Sequence, residues 1–175
     1  IKENTIISRY ELGRSPIGKW QNKVSRDILF IERNLNFLKP GGRMAVVLPQ
    51  GRFNNSTDRA LREYIAERCR ILAVVGLHGN VFKPHTGTKT SVLFVQKWDD
   101  VLCPKKEDYP IFFATMQKPS KDSSGDKLYL ADPETGLPAL DRHNHLIVDH
   151  DLYQLSYVKQ DGTEVTLAPG IAEAF

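Results

Sequence analysis

The sequence predicts an α/β fold: a parallel sheet with helices packed on its faces, closing in one antiparallel strand and followed by a smaller β-rich appendage. Three observations predict it. Between residues 22 and 77, two amphipathic helical patterns alternate with two short apolar runs, the arrangement of parallel strands with helices on their faces. The stretch from Leu77 to Thr90, with Gly79, Pro84 and Gly87 inside it, is too short for the crossover helix that a parallel return requires. Beyond Trp98 the pattern shifts to short strand-like segments separated by turn residues.

Each element has a local cause. In QNKVSRDILFIERNLNFLKPGG, Val24, Ile28, Ile31, Leu35 and Leu38 form one apolar stripe, and Pro40-Gly41-Gly42 stops the helix. RMAVVLP is a continuous apolar run of strand length, the pattern of an interior parallel strand covered on both faces. After the polar QGRFNNS, a second helix starts near Thr57 or Asp58 with Leu61, Ile65 and Cys69 spaced by four, so Cys69 is expected as a small core residue at the helix end. ILAVVGL is a second buried strand, and TSVLFVQKW should run antiparallel to it. Further on, YPIFFATM reads as a strand, GDKLYLADPETGLPAL as a hairpin around Pro133 to Gly136, and SYVKQDGTEVTL as a hairpin about Asp161-Gly162. KPSKDSSGD has the composition of a flexible loop. The opening IKENTIISRYELGRSPIGKW shows no clear periodicity and starts on Ile1, so the expectation is a piece of something longer.

Composition bounds the function. With 175 residues, 41% apolar and 26% charged, the chain has the make-up of a soluble globular protein. Met44 to Leu48 and Ile71 to Val75 are far too short to cross a bilayer and no signal peptide is evident, so a cytoplasmic protein without a membrane partner is expected. Cys69 and Cys103 stand apart, without C-x-x-C spacing. Charge is divided: residues 1–98 carry 17 Lys and Arg against 7 Asp and Glu, and residues 99–175 carry 7 against 14. A basic first part suits a nucleic-acid partner, although solvated helix faces such as RALREYIAERCR produce the same count.

Several motifs fail on spacing. GTKT lacks the Gly before Lys89 and the Gly five residues earlier that a phosphate loop needs. His143, His145 and His150 in RHNHLIVDH have no matching ligands elsewhere and read as surface residues, so no metal site is expected. Neither a Gly-x-Ser-x-Gly nor a His-Glu-x-x-His is present, and no catalytic constellation is complete within the chain.

NLNFLKPGGRMAVVLPQGRFNN and LREYIAERCRILAVVGLHGNVFKPHTGTKTSVLFVQKW, with the helix before them, resemble the amino-methyltransferases that modify adenine in DNA over about residues 20–98. Within these, the chain resembles the modification subunits of type I restriction-modification systems. The resemblance implies a class I S-adenosylmethionine-dependent methyltransferase fold, Rossmann-like, of which this chain is the carboxyl-side half. It would supply the last three strands, with one sheet edge left exposed, as a partial catalytic domain at 1–98, and an acidic β-rich extension at 99–175. The family's cofactor glycine motif and its Asn-Pro-Pro-(Phe/Tyr) are absent from these residues, so no cofactor-binding residue is named and the chain alone is expected to be inactive.

An enzyme acting on a base in duplex DNA must rotate it out of the stack and replace the lost stacking. By resemblance, Phe82 is the aromatic that packs on the flipped adenine. Lys83, Thr86, Gly87, Thr88 and Lys89, with Thr90, would hold the DNA backbone nearby, since phosphate contacts position a duplex without reading it. On its residues alone, Phe82 reads rather as a cap over the core end, and Lys89 as a solvated strand start. Arg52 and Asn54 are weaker DNA-facing candidates, and His78 and His85 have no assigned role. Implied partners are double-stranded DNA and the specificity and restriction subunits. The alternatives are a non-catalytic DNA-binding or subunit-assembly module on the same half-fold, and methylation of RNA or protein.

Overall fold

The computed structural model describes residues 1–15 and 17–175. The helices are α1 (Asn4–Ile7), α2 (Arg26–Phe37), α3 (Gly51–Asn54), α4 (Arg59–Arg68) and α5 (Ile171–Ala174). The strands are β1 (Arg43–Pro49), β2 (Cys69–Gly76), β3 (Thr90–Lys97), β4 (Phe112–Thr115), β5 (Ser156–Val158) and β6 (Glu164–Thr166). Two sheets result, one ordered β1-β3-β2-β4 and one pairing β5 with β6. Two compact units make up the chain, residues 1–74 with 92–111 and residues 75–91 with 112–175, so the division falls within β2 and β3.

The reversal expected from loop length is present. The amide of Leu77 donates to the Thr90 carbonyl at 2.9 Å, and that of Trp98 to the Arg68 carbonyl at 3.0 Å, so the two ends of β2 and β3 meet in antiparallel fashion. At β1 the Lys97 amide donates to the Gly42 carbonyl at 2.8 Å, which sets the end of β3 beside the start of β1. β3 therefore lies between β1 and β2 and opposes both.

In the first unit the stripe of α2 works as its spacing requires: Ile31 and Leu35 are buried, and they pack with Leu48, Leu61, Tyr64, Ile65, Cys69, Leu93 and Val95 in one core. Burying a Leu or Ile side chain contributes about 1.5–3 kcal/mol, so α2 and α4 are held by this face rather than by intrinsic propensity. Cys69, fully buried, follows the last residue of α4 and opens β2, as the helical spacing predicts. The turn after α2 uses Gly41 at φ +70°, where a Cβ would meet Leu102 at 2.6 Å. The aperiodic opening segment is ordered by other means: Ile7 packs with Val24 and Leu29, and the Glu32 carboxylate accepts the amides of Glu11 and Leu12 at 2.8 and 2.9 Å.

Two expectations are corrected. RMAVVLP is not covered on both faces: β1 is an edge strand, Ala45 and Val47 are exposed, and Leu48 is its one buried residue. A continuous apolar run carries no periodicity from which to tell an edge from an interior position. KPSKDSSGD is not a free loop. Asp122 Oδ1 accepts the amides of Ser124, Gly125 and Asp126 at 2.8, 2.8 and 3.0 Å, and Lys121 bridges Lys127.

The second unit is rich in β pairing, much of it as single bridges. Ala131 pairs with Pro138 around a turn in which Asp132 accepts the Gly136 amide at 2.8 Å. Ser156–Val158 pairs antiparallel with Glu164–Thr166 across the Asp161-Gly162 turn. Leu130, Ala139 and Tyr157 form a small core, with Ile147, Val165 and Leu167 against it.

Candidate nucleic-acid interface

The connection between β2 and β3 carries Phe82, Lys83, Thr86, Gly87, Thr88 and Lys89, with Thr90 opening β3, whereas Arg52 and Asn54 lie in α3. The connection is built from overlapping turns: the amide of Val81 donates to the His78 carbonyl at 3.1 Å, that of Lys83 to Asn80 at 2.9 Å, and that of Thr86 to Phe82 at 3.1 Å. These bonds satisfy part of the loop's backbone within the loop itself. Phe82 stands 37% exposed at its head, a ring neither sealed in the core nor fully in water. Phe37 and Phe113 are more exposed, so what sets Phe82 apart is not its exposure but its place on the β2–β3 connection beside cationic and hydroxyl side chains.

Around it the cationic and hydroxyl groups separate into two sets. Thr86, Gly87, Thr88 and Lys89 are exposed. Thr86 Oγ1 accepts the Thr88 amide at 3.1 Å and donates to Thr88 Oγ1 at 3.0 Å, which fixes the loop beside Gly87. Lys83 is half-buried and folds back, its Nζ 3.6 Å from the point a Gly87 side chain would occupy. The Thr90 hydroxyl is buried without a hydrogen-bond partner, which removes it from the surface set.

Other candidates lie elsewhere. Arg52 is committed to Asp27 and Asp58 at 2.8 and 3.0 Å, and its two carboxylate partners neutralise it as a DNA contact. Sequence reasoning missed this because Asp27 lies 25 residues away with no local pattern linking it to Arg52. Asp141 Oδ1 accepts the amides of His143 and His145, so these two histidines flank an Asp-centred turn. Among the described residues, no group of three or more His, Cys, Asp or Glu is placed to hold a metal ion. A cleft of about 920 Å³ in the first unit is lined by paired charges such as Arg52 with Asp58, Arg59 with Glu63 and Arg68 with Glu11. No helix among the described residues is long and apolar enough to cross a membrane.

The profile of the N-6 DNA methylase family matches residues 2–135, more than half of the sequence. The chain belongs to this family. As a family member it is 37% identical over 70 residues to the methylase subunit of the type I restriction enzyme EcoEI of Escherichia coli, a match that takes in 39% of this chain and 14% of the relative. A Listeria monocytogenes protein assigned to the class I S-adenosylmethionine-dependent methyltransferases shares the fold at TM-score 0.53 and 23% identity, over 71% of this chain and 35% of that one. The chain thus spans well under two thirds of either protein.

A nucleoside cofactor needs backbone left open by glycine; Gly13, Gly41, Gly42 and Gly170 are closed by Ile7, Leu102, Lys39 and Tyr153 of the same chain, whereas Gly18, Gly136 and Gly162 face open space. The loop between β2 and β3 presents a part-exposed ring on the same connection as cationic and hydroxyl side chains.

Proposed function

We propose that this chain is part of a DNA adenine methyltransferase of type I restriction-modification, which moves a methyl group from S-adenosylmethionine to the exocyclic amine of an adenine rotated out of the duplex. The observation that carries the reading is Phe82, at the head of an ordered loop closing the antiparallel β2–β3 pair and 37% exposed. Family membership supplies the reaction class.

In this reading Phe82 stacks on the extruded base, for which stacking on an aromatic contributes about 1–3 kcal/mol. Lys83, Thr86, Gly87, Thr88 and Lys89 hold the neighbouring phosphates and fix the register of the duplex. Lys89 is the exposed point charge, whereas Lys83 works from over Gly87. The groups that bind the methyl donor and hold the amine are not among these residues, so the chain contributes base capture, and alone it does not methylate DNA. Specificity and restriction subunits are the expected protein partners, by similarity to the type I methylase subunit.

The test is methyl transfer to an adenine-containing duplex by the intact methylase that carries this segment. Phe82→Ala is expected to lower the rate about tenfold or more, and Phe82→Trp to retain it, because the lost stacking is of that size. An unchanged rate in Phe82→Ala removes the assignment.

A further inference from the structure

Two hydrogen bonds from a separate segment bracket Phe82. Lys121 Nζ donates to the Lys83 carbonyl at 2.9 Å, and Asn80 Nδ2 donates to the Lys121 carbonyl at 3.0 Å. The same residue therefore grips the loop on both sides of Phe82, through its side chain after the ring and through its backbone before it. A third contact is steric. Gly125, at φ +104°, lies so close to the loop that a Cβ there would sit 2.5 Å from the Pro84 nitrogen and 2.6 Å from its Cδ. Glycine satisfies both demands, since L side chains rarely adopt that φ and no other residue leaves the space.

The gripping segment is itself closed. Asp122 Oδ1 gathers the amides of Ser124, Gly125 and Asp126, the Asp122 amide donates to the Asp126 carbonyl at 2.9 Å, and the Leu128 amide donates to the Ser120 carbonyl at 3.0 Å. Lys121 is only part-exposed and its ammonium is aimed at the loop backbone, so it is not simply a solvated cation.

We propose that residues 120–127 are a positioning strap for the base-stacking loop, with Lys121 and Gly125 as positioning residues that hold Phe82 in the orientation a flipped adenine meets. This rests on the reading of Phe82 given above. The physical basis is preorganisation: a ring held by its flanking carbonyl and amide groups loses little freedom when the base arrives, whereas a ring on a loose loop must be ordered at that moment. Thr88 and Lys89 lie beyond the gripped stretch 80–84, so the strap acts on base capture more than on duplex affinity.

The experiment uses Lys121→Met, which keeps the stem and removes the donor, with Lys121→Arg as the conservative rescue and Gly125→Val as an independent disruption from the steric side. Amide exchange of the chain reads the strap directly: exchange at Lys83 and Thr86 is expected to quicken about tenfold in Lys121→Met and Gly125→Val and to return toward wild type in Lys121→Arg. In the intact methylase, a duplex with 2-aminopurine at the target position reads base extrusion. Lys121→Met is expected to cut that fluorescence severalfold while duplex affinity stays within about twofold. Exchange at the wild-type rate overturns the strap, and quickened exchange with undiminished fluorescence overturns its positioning role. Phe82→Leu is measured alongside: full fluorescence in that variant means that the Phe82 reading has failed, whatever the exchange rates show.

Discussion

Arg52 Nη1 donates to both carboxylate oxygens of Asp58, at 3.0 and 3.1 Å, while Nε and Nη2 of the same guanidinium reach Asp27 at 2.8 and 3.1 Å. One side chain thereby ties the first turn of α2 to the residue preceding α4. The Asp58 side chain is only 7% exposed, so removing the cation leaves a carboxylate nearly out of water without its partner. Arg52→Ala is expected to lower stability by about 2–4 kcal/mol, read as the shift in urea midpoint. Lys at this position should recover less than half of the loss, because a point charge cannot serve two carboxylates in the plane of a fork. A midpoint unchanged in Arg52→Ala contradicts this role.

The same cluster gives an acid-side prediction. Burial works to raise the Asp27 carboxyl, but hydrogen bonds from Arg52 and Ser25 and the guanidinium charge outweigh it, and the net pKa lies below the ordinary 3.8. A carboxyl depressed in the fold contributes stability that is complete above its unfolded pKa and is lost as pH falls through the folded one. Unfolding free energy measured from pH 6 to 2 should therefore drop more steeply in the wild type than in Asp27→Asn below about pH 4. Parallel curves for the two proteins would refute it.

An alkaline counterpart lies in the core. Burial pushes the Cys69 thiol up to about 11, against an ordinary value of 9.0, and the Tyr64 hydroxyl up to about 12. For groups kept neutral by the fold the sign is the opposite of Asp27: the stability is whole below the unfolded pKa and is lost as pH rises toward the folded one. Stability should begin to fall above pH 9, and Cys69→Ala should lose the part of this slope between 9 and 11. In the native state Cys69 is expected to resist thiol reagents at neutral pH, because it is fully buried as well as protonated. Rapid native labelling of Cys69 is the contrary result.

Much of this was legible in the sequence wherever a constraint is local. The stripe of α2 located its buried face, the spacing of Leu61, Ile65 and Cys69 located that of α4, and the short Gly- and Pro-bearing link forced β3 to oppose β2. The exposed set Thr86, Gly87, Thr88 and Lys89 was legible as well, since a polar loop between two apolar strands has nowhere to hide. What escaped depends on distant partners. The commitment of Arg52 to Asp27 and the grip of Lys121 on Lys83 arise from residues brought together only by the fold. Composition misled at KPSKDSSGD, where Ser, Lys and Gly suggested freedom, yet Asp122 and Gly125 there close a turn and accept a crowded contact.

The claim on which the account turns is that the Phe82 ring takes the place of the stacking an extruded adenine loses. The measurement closest to it is the affinity of the intact methylase for two duplexes that differ only in whether the target adenine is paired or mismatched, for wild type and for Phe82→Ala. A mismatched base costs less to extrude, so the wild type should prefer that duplex, and loss of the ring should weaken binding to it about tenfold. Equal affinity of wild type and Phe82→Ala for the mismatched duplex would contradict the account.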